Sequence, residues 1–145
     1  MKLTGTYDVP APRERVFQDI TDPAVLQTVI DGCDKMVKTA EGSYDAHLKI
    51  GVAGIKGAYV GKVQLKDLVA PESYTLIIEG KGGPGFVKGT ARIHLTENGE
   101  HTRIQCDADA QVGGMIAAIG SRLIEAVAKK MMADFFKRLA EKLRG

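Results

Sequence analysis

Tryptophan is absent from the chain, and cysteine occurs only at Cys33 and Cys106. Two cysteines this far apart, without C-x-x-C spacing or a neighbouring histidine pair, exclude a disulfide framework and a zinc finger. No metal or cofactor is expected. No apolar run approaches the ~18 residues of a membrane-spanning helix, so no such span is expected. Neither sign of charge dominates, since 20 Lys and Arg against 18 Asp and Glu leave a net charge of +2. That balance argues against nucleic acid as a partner. Met1 is followed by Lys2 and Asp8 in a polar start, so no signal peptide is read and a cytoplasmic location is expected.

Glycine, by contrast, is plentiful: 17 of 145 residues. Thirteen of them fall between Gly42 and Gly114, and none falls between Ser121 and Arg144. A glycine-bearing middle followed by a long helix is the natural reading. The length fits one domain, 1–145, and 44% hydrophobic with 26% charged residues suits a globular chain with its own core.

Residues 2–9 alternate, with Leu3, Gly5, Tyr7 and Val9 on one side, as in a half-buried strand. Pro10-Ala-Pro12 ends it. Pro12 then opens a short helix carrying Val16, Phe17 and Ile20. Asp22-Pro23 opens a second, carrying Val25, Leu26, Val29 and Ile30 and stopping at Asp31-Gly32. From Cys33 to Val112 the period is two. Tyr44–Val52, Tyr59–Lys66, Tyr74–Glu79, Val87–Thr96 and Thr102–Val112 alternate between turn signals, predicting an antiparallel meander of about six further strands. After Gly113-Gly114, helical spacing is predicted for about 29 residues through Ile116, Ile119, Leu123, Val127, Met131 and Phe135, a helix of roughly 43 Å.

An antiparallel sheet with one apolar face must cover that face, and the terminal helix is the only element long enough. The expected fold is α+β, a helix-grip arrangement: a curved antiparallel sheet around a long C-terminal helix, with two short helices after strand 1. The seven bases between Arg122 and Arg144 against three acids read as cations complementing the helix C-terminus.

Gly80-Lys-Gly-Gly-Pro-Gly85 has the spacing G-x-G-x-x-G, but it runs into a strand and contains Pro84, which excludes a dinucleotide loop. It reads as a mobile hairpin, with Gly82, Gly83, Pro84 and Gly85 at the rim of a cavity. Gly51, Gly54, Gly57 and Gly61 read as bulges that bend the sheet, and missing side chains there leave interior volume. His47, His94 and His101 fall on outward faces or in a turn, and Asp107 and Asp109 read as surface charges. Cys106 reads as a small buried apolar residue. The inward set is almost free of ionisable groups, with Tyr7, Tyr44, Tyr59 and Tyr74 as its polar tips. Such a surface suits binding better than acid–base chemistry. Candidate cavity-lining residues are Phe17, Leu26 and Ile30 from the short helices. Tyr59, Leu65, Tyr74, Leu76 and Phe86 come from the sheet, and Ile119, Leu123 and Val127 from the helix. Residue by residue, ordinary core packing is the competing account. N–H groups exposed after Gly113-Gly114 could meet a ligand's carbonyl oxygen at the helix start.

Several segments carry a family resemblance: GVAGIKGAYVGKVQLKD at 51–67, GKGGPGFVKGTA at 80–91, DAQVGG at 109–114, GSRLI at 120–124, and the later Phe135-Phe136. In order, they resemble the carbon monoxide dehydrogenase CoxG family of the START-like (SRPBCC) superfamily. The resemblance implies a helix-grip fold that holds hydrophobic ligands between sheet and terminal helix. It also implies an accessory role beside molybdenum-containing carbon monoxide dehydrogenases and related oxidoreductases, with peripheral contact at the cytoplasmic membrane and handling of a quinone-like or lipid-like molecule. Asp31-Gly-Cys33 stands where family members often have Pro-Gly-Cys, a change confined to a turn. The family offers no catalytic residues to carry over. The expected function is a non-enzymatic binding protein for an apolar small molecule. The rivals are a cyclase- or hydratase-type enzyme of the same superfamily, which needs an inward ionisable group, and a docking module with a solid interior.

Overall fold

A computed structural model describes residues 1–52 and 54–144; Ala53 and Gly145 lie outside the described residues. The chain forms β1 (Lys2–Val9), α1 (Arg13–Ile20), α2 (Pro23–Val29), β2 (Cys33–Ala40), β3 (Ser43–Ile50) and β4 (Gly57–Val69). It continues through β5 (Ser73–Gly82), β6 (Gly85–Asn98), β7 (His101–Gly114), a 3-10 turn at Met115–Ile119, and α3 (Ser121–Arg144). The seven strands make one antiparallel sheet in the order β1-β7-β6-β5-β4-β3-β2. β1 therefore closes the meander by pairing with its last strand. This is the helix-grip architecture, an antiparallel sheet gripping the terminal helix.

The short helices form where the sequence placed them. Asp22 accepts the Ala24 N–H at 2.9 Å and Pro23 occupies the first turn of α2, a cap and a preset φ that together nucleate a short helix. Val16, Phe17, Ile20, Leu26 and Val29 are buried against the sheet residues Ile93, Leu95 and Ile104. Thr102 ties this end down by donating its buried hydroxyl to the Ala11 carbonyl at 2.7 Å.

The terminal helix is shorter than its apolar spacing predicts. Met115–Ile119 is a 3-10 turn, and Gly120, at φ 97°, separates it from α3. That backbone conformation is open to glycine and strained for other residues, so the chain turns there rather than continuing one helix. α3 has 24 residues, about 36 Å at 1.5 Å per residue. The expected bulges at Gly57 and Gly61 are also absent. β4 keeps register with β3 from Gly57 to Gln64, and its irregularity falls between Lys66 and Val69, where Asp67 has φ 52°.

Candidate functional site

The register defines the concave face row by row. One row runs Gly5–Cys106–Ile93–Tyr74 across β1, β7, β6 and β5. The next runs Leu3–Ala108–Ala91–Leu76–Leu65. Further along lies Val112–Val87–Gly80–Gly61–Ala46–Met36. Small residues thus pave the middle of the face: Ala108, Ala91, Gly80, Gly61 and Ala46.

Above the two glycines of this paving lies space. A Cβ built on Gly80 meets nothing within 4 Å, and one on Gly61 meets only the Ala46 carbonyl oxygen at 3.9 Å. The apolar interior is accordingly split in two. The larger core joins α1, α2 and the end of α3 (Phe136, Leu139, Leu143) to Ile93, Leu95 and Ile104. The smaller one gathers Ile55, Tyr59 and Ile116, with Leu48, Ile119, Ile124 and Val127 against it. A trench floored by Gly61 and Gly80 lies between the two.

The residues singled out by sequence divide between these regions. Phe17, Leu26, Leu65 and Tyr74 belong to the larger core, with Ile30 and Leu76 packed against it. Tyr59, Ile119 and Val127 belong to the smaller one. Leu123 is half exposed. Phe86 sits on the outer face: it pairs with Gly113, whose missing side chain its ring covers, and the Lys88 ammonium lies 6.0 Å from the ring centre. Alternation puts Val87, not Phe86, on the concave side. Gly80 is the floor residue that the spacing obscured, because it stands inside a loop-like glycine cluster. Its pairing with Gly61 and Val87 is long-range, and nothing local signals it.

The rim hairpin is tight. β5 and β6 meet at Gly82↔Gly85 with only Gly83 and Pro84 between them. The Pro84 ring would lie 3.0 Å from a Cβ on Gly57, and the Pro84 carbonyl accepts the Ile116 N–H at 2.9 Å. The expected hairpin loop is a two-residue turn, with Pro84 beside Gly57 and bonded to Ile116. Of the N–H groups expected to be free for a ligand after Gly113-Gly114, that of Ile116 is used by Pro84. Beside this corner lies an open hollow of about 480 Å³, lined by Met1, Phe86, Ala110, Gln111, Val112, Ala117, Ser121 and Ile124, so that Phe86 borders a hollow from the outer side of the sheet margin. It borders the start of α3 at the sheet margin. A second hollow of about 370 Å³, around Ile77, Glu79, Lys88 and Asp109, belongs to the outer face.

The chemistry of the concave face is that of uncharged groups. His47, His94 and His101 are exposed. Among tyrosines, Tyr59 donates its hydroxyl to the Ile55 carbonyl, and burial raises its pKa. Burial also raises Tyr7 and Tyr74, with the Cys106 thiolate charge adding to both. Cys106 is pushed up to about 11 by burial and then by the Asp107 charge. At neutral pH these groups keep their protons. Among the described residues no group of three or more His, Cys, Asp or Glu is placed to hold a metal ion, and no helix is long and apolar enough to cross a membrane.

Comparison with known proteins places this geometry. The family model for the CoxG subunit of carbon monoxide dehydrogenase matches residues 5–144. A conserved protein from Geobacillus kaustophilus is similar at 36% identity and TM-score 0.97, over 99% of this chain and 95% of that one. A START superfamily protein from Mycobacterium smegmatis gives 13% identity and TM-score 0.78 over 99% and 97%. A protein from Thermus thermophilus gives 14% and 0.73, also over 99% and 97%. The last two show a shared fold. No curated protein matches the chain.

Proposed function

The chain belongs to the carbon monoxide dehydrogenase CoxG family, and from that premise we propose that it is a non-enzymatic carrier of an apolar small molecule. The ligand is quinone-like or lipid-like and lies in the trench between sheet and α3. The observation that carries this reading is the unfilled floor at Gly80 and Gly61. Close packing is the rule in protein interiors, so apolar space between two cores favours an apolar occupant. Each methylene buried there stabilises the complex by about 0.8 kcal/mol, enough for a chain of eight or ten to bind usefully after entropic costs. The same family premise supports service to a molybdenum-containing oxidoreductase of the carbon monoxide dehydrogenase type, with peripheral contact at a membrane as the place where ligand is exchanged. Tyr7, Tyr59, Tyr74 and Cys106 keep their protons at neutral pH, which favours binding over the cyclase or hydratase alternative, since that needs a group titrating near neutrality.

The test uses the purified protein with menaquinone and fatty-acyl analogues, read by native mass spectrometry. Wild-type protein should take up an apolar species. Gly80→Leu should fold normally, because its side chain enters open space, and should lose most of that uptake. Failure of the wild type to bind any of these molecules sinks the carrier reading, and unchanged uptake by Gly80→Leu moves the ligand out of the trench.

A further inference from the structure

Three links of the chain meet at the end of the sheet that the smaller core closes. β3 hands over to β4 at Ile50↔Gly57, β5 turns into β6 at Gly82↔Gly85, and Gly85 pairs with Gly114, where β7 passes into the 3-10 turn. These links touch one another. The Ile119 side chain would lie 3.1 Å from a Cβ on Gly54, the Pro84 ring lies as close to Gly57, and the Ile116 N–H is bonded to the Pro84 carbonyl. Ile55 and Ile116 belong to the smaller core, and Ile119 packs against it. In that core Tyr59 pairs with Gly82 at the rim, one concave-face position before the floor at Gly61 and Gly80.

What this rim turns outward is apolar and cationic. Met115 is 74% exposed, more than any other large apolar residue among those described, and Val52 and Leu123 are 40% and 50% exposed. Single exposed apolar residues are ordinary, but these three stand on links that touch and so make a patch. Lys56, Lys81, Lys88 and Arg122 are exposed with them, and none enters an ion pair among the described residues. The stretches 51–61, 80–90 and 110–124 contain no Asp or Glu. The nearest acids are Glu79, across the strands from Lys88, and Glu125, which Lys129 holds at 3.0 Å. The strand turns at the opposite end of the sheet are the reverse. Stretches 41–42, 67–72 and 97–100 carry Glu41, Asp67, Glu72, Glu97 and Glu100, with no Lys or Arg. The end of α3, which joins the larger core, has cations too, but its Lys137, Lys142 and Arg144 are interleaved with Asp134 and Glu141.

We propose that this rim is the face the protein sets against an anionic lipid bilayer, with Met115, Val52 and Leu123 entering the headgroup region and Lys56, Lys81 and Arg122 meeting lipid phosphates. This rests on the carrier reading and gives its membrane contact a surface and a lipid chemistry. Apolar side chains leave water at such an interface, and the cations beside them gain from its negative surface potential. A neutral bilayer offers the cations no net charge, and an acid on these links would oppose the contact. Docked in this way, the smaller core lies next to the membrane and the floor of the trench just behind it.

The experiment is flotation with vesicles of phosphatidylcholine alone and with about one third phosphatidylglycerol, at low salt and at about 1 M, where charges are screened beyond about 3 Å. Wild-type protein should bind the anionic vesicles about tenfold or more tightly than the neutral ones, and should lose that preference at high salt. Lys81→Glu and Arg122→Glu should each weaken binding by about fivefold or more, and Met115→Ser should weaken it as well. Leu68→Ser, at an exposed apolar residue of the opposite end, should leave it unchanged. Because the chain lacks tryptophan, Met115→Trp and Leu68→Trp each report on one end. On anionic vesicles the Met115→Trp emission should move to the blue and be quenched by brominated lipid, while that of Leu68→Trp should not respond. Equal binding to both kinds of vesicle, or a response from Leu68→Trp, overturns the docking face. Absence of binding to either kind also overturns it and leaves an acidic protein surface as the occupant of the rim. Menaquinone uptake by the same samples, read by native mass spectrometry, separates the two readings. Uptake without vesicle binding overturns the docking face alone, and vesicle binding without uptake overturns the carrier reading.

Discussion

Phe136 of α3 lies face to face with Tyr7 of β1, ring centres 4.3 Å apart and planes 17° from parallel. This stack clamps the C-terminal half of the helix to the edge strand, and with Leu139 and Leu143 it anchors the larger core. The N-terminal half is held more lightly, with Leu123 half exposed. Phe136→Ala should therefore cost about 3–5 kcal/mol, as loss of a buried aromatic does. Leu123→Ala should stay within about 0.5 kcal/mol, as surface changes do. Urea unfolding of the two variants side by side checks the contrast. Similar losses would mean that the helix is gripped evenly along its length.

At the opposite end, Thr102 is fully buried and gives its hydroxyl to the Ala11 carbonyl. Thr102→Val keeps the shape but strands that carbonyl, so a loss of about 1–3 kcal/mol is expected. Thr102→Ser keeps the donor and should recover the hydrogen-bond part of it. Thermal melts of both variants decide the matter: equal destabilisation would assign the effect to the lost methyl alone.

Much of this frame was legible because strands announce their faces. Tyr59, Val63 and Leu65 alternate with charged and polar neighbours, and all three are buried as that alternation requires. The break at Gly120 was hidden because Ile116 and Ile119 sit three apart, a spacing that a 3-10 turn and an α-helix share. Phe86 lies on the outer side of the sheet margin, where its ring covers the bare backbone of Gly113 and borders the hollow beside the start of α3. The trench itself was half visible: Gly61 signalled missing volume, but its neighbour Gly80 joins it only through strand pairing. β2 alternates weakly because it is an edge strand with most of its residues exposed.

The thiols should separate by chemistry. Cys106 is 5% exposed with its pKa pushed up to about 11, whereas Cys33 is only partly buried. Alkylation of the native protein near pH 8 should label Cys33 first and reach Cys106 only on unfolding, as peptide mass spectrometry would reveal. A raised folded pKa means that the native state holds the Cys106 proton more tightly than the unfolded chain does. That contribution is complete below about 9, the ordinary thiol value, and is lost as pH climbs toward about 11. Stability should fall across this window, and Cys106→Ala should flatten part of the fall. Rising stability over the same range would contradict the buried protonated thiol.

The rim turn makes a sharp pair of expectations. Gly85 has φ 146° and a Cβ there would collide with the Gly113 carbonyl, while a Cβ on Gly83 meets nothing within 4 Å. Gly85→Ala should cost more than about 1 kcal/mol, and Gly83→Ala should be close to neutral. Amide exchange adds a second measure. The Ile116 N–H, bonded to Pro84, should be protected in the native protein and become fast in Gly85→Ala. Rapid exchange in the wild type would restore the mobile loop.

The two faces of β6 give the most direct check on where the ligand lies. Phe86 is 39% exposed on the outer face, while Gly80, paired with Val87, opens on the trench. A carrier that uses the concave face should bind apolar probes undiminished after Phe86→Ala, with a stability change limited to the ring's cover over Gly113. Gly80→Leu should do the reverse, keeping stability while reducing uptake at least tenfold by filling space that the ligand needs. Dye-binding titrations with parallel melts on the two variants measure both quantities. If Phe86→Ala abolishes uptake and Gly80→Leu does not, the ligand lies on the outer surface, and the space above Gly61 and Gly80 serves only to let the sheet bend around its helix.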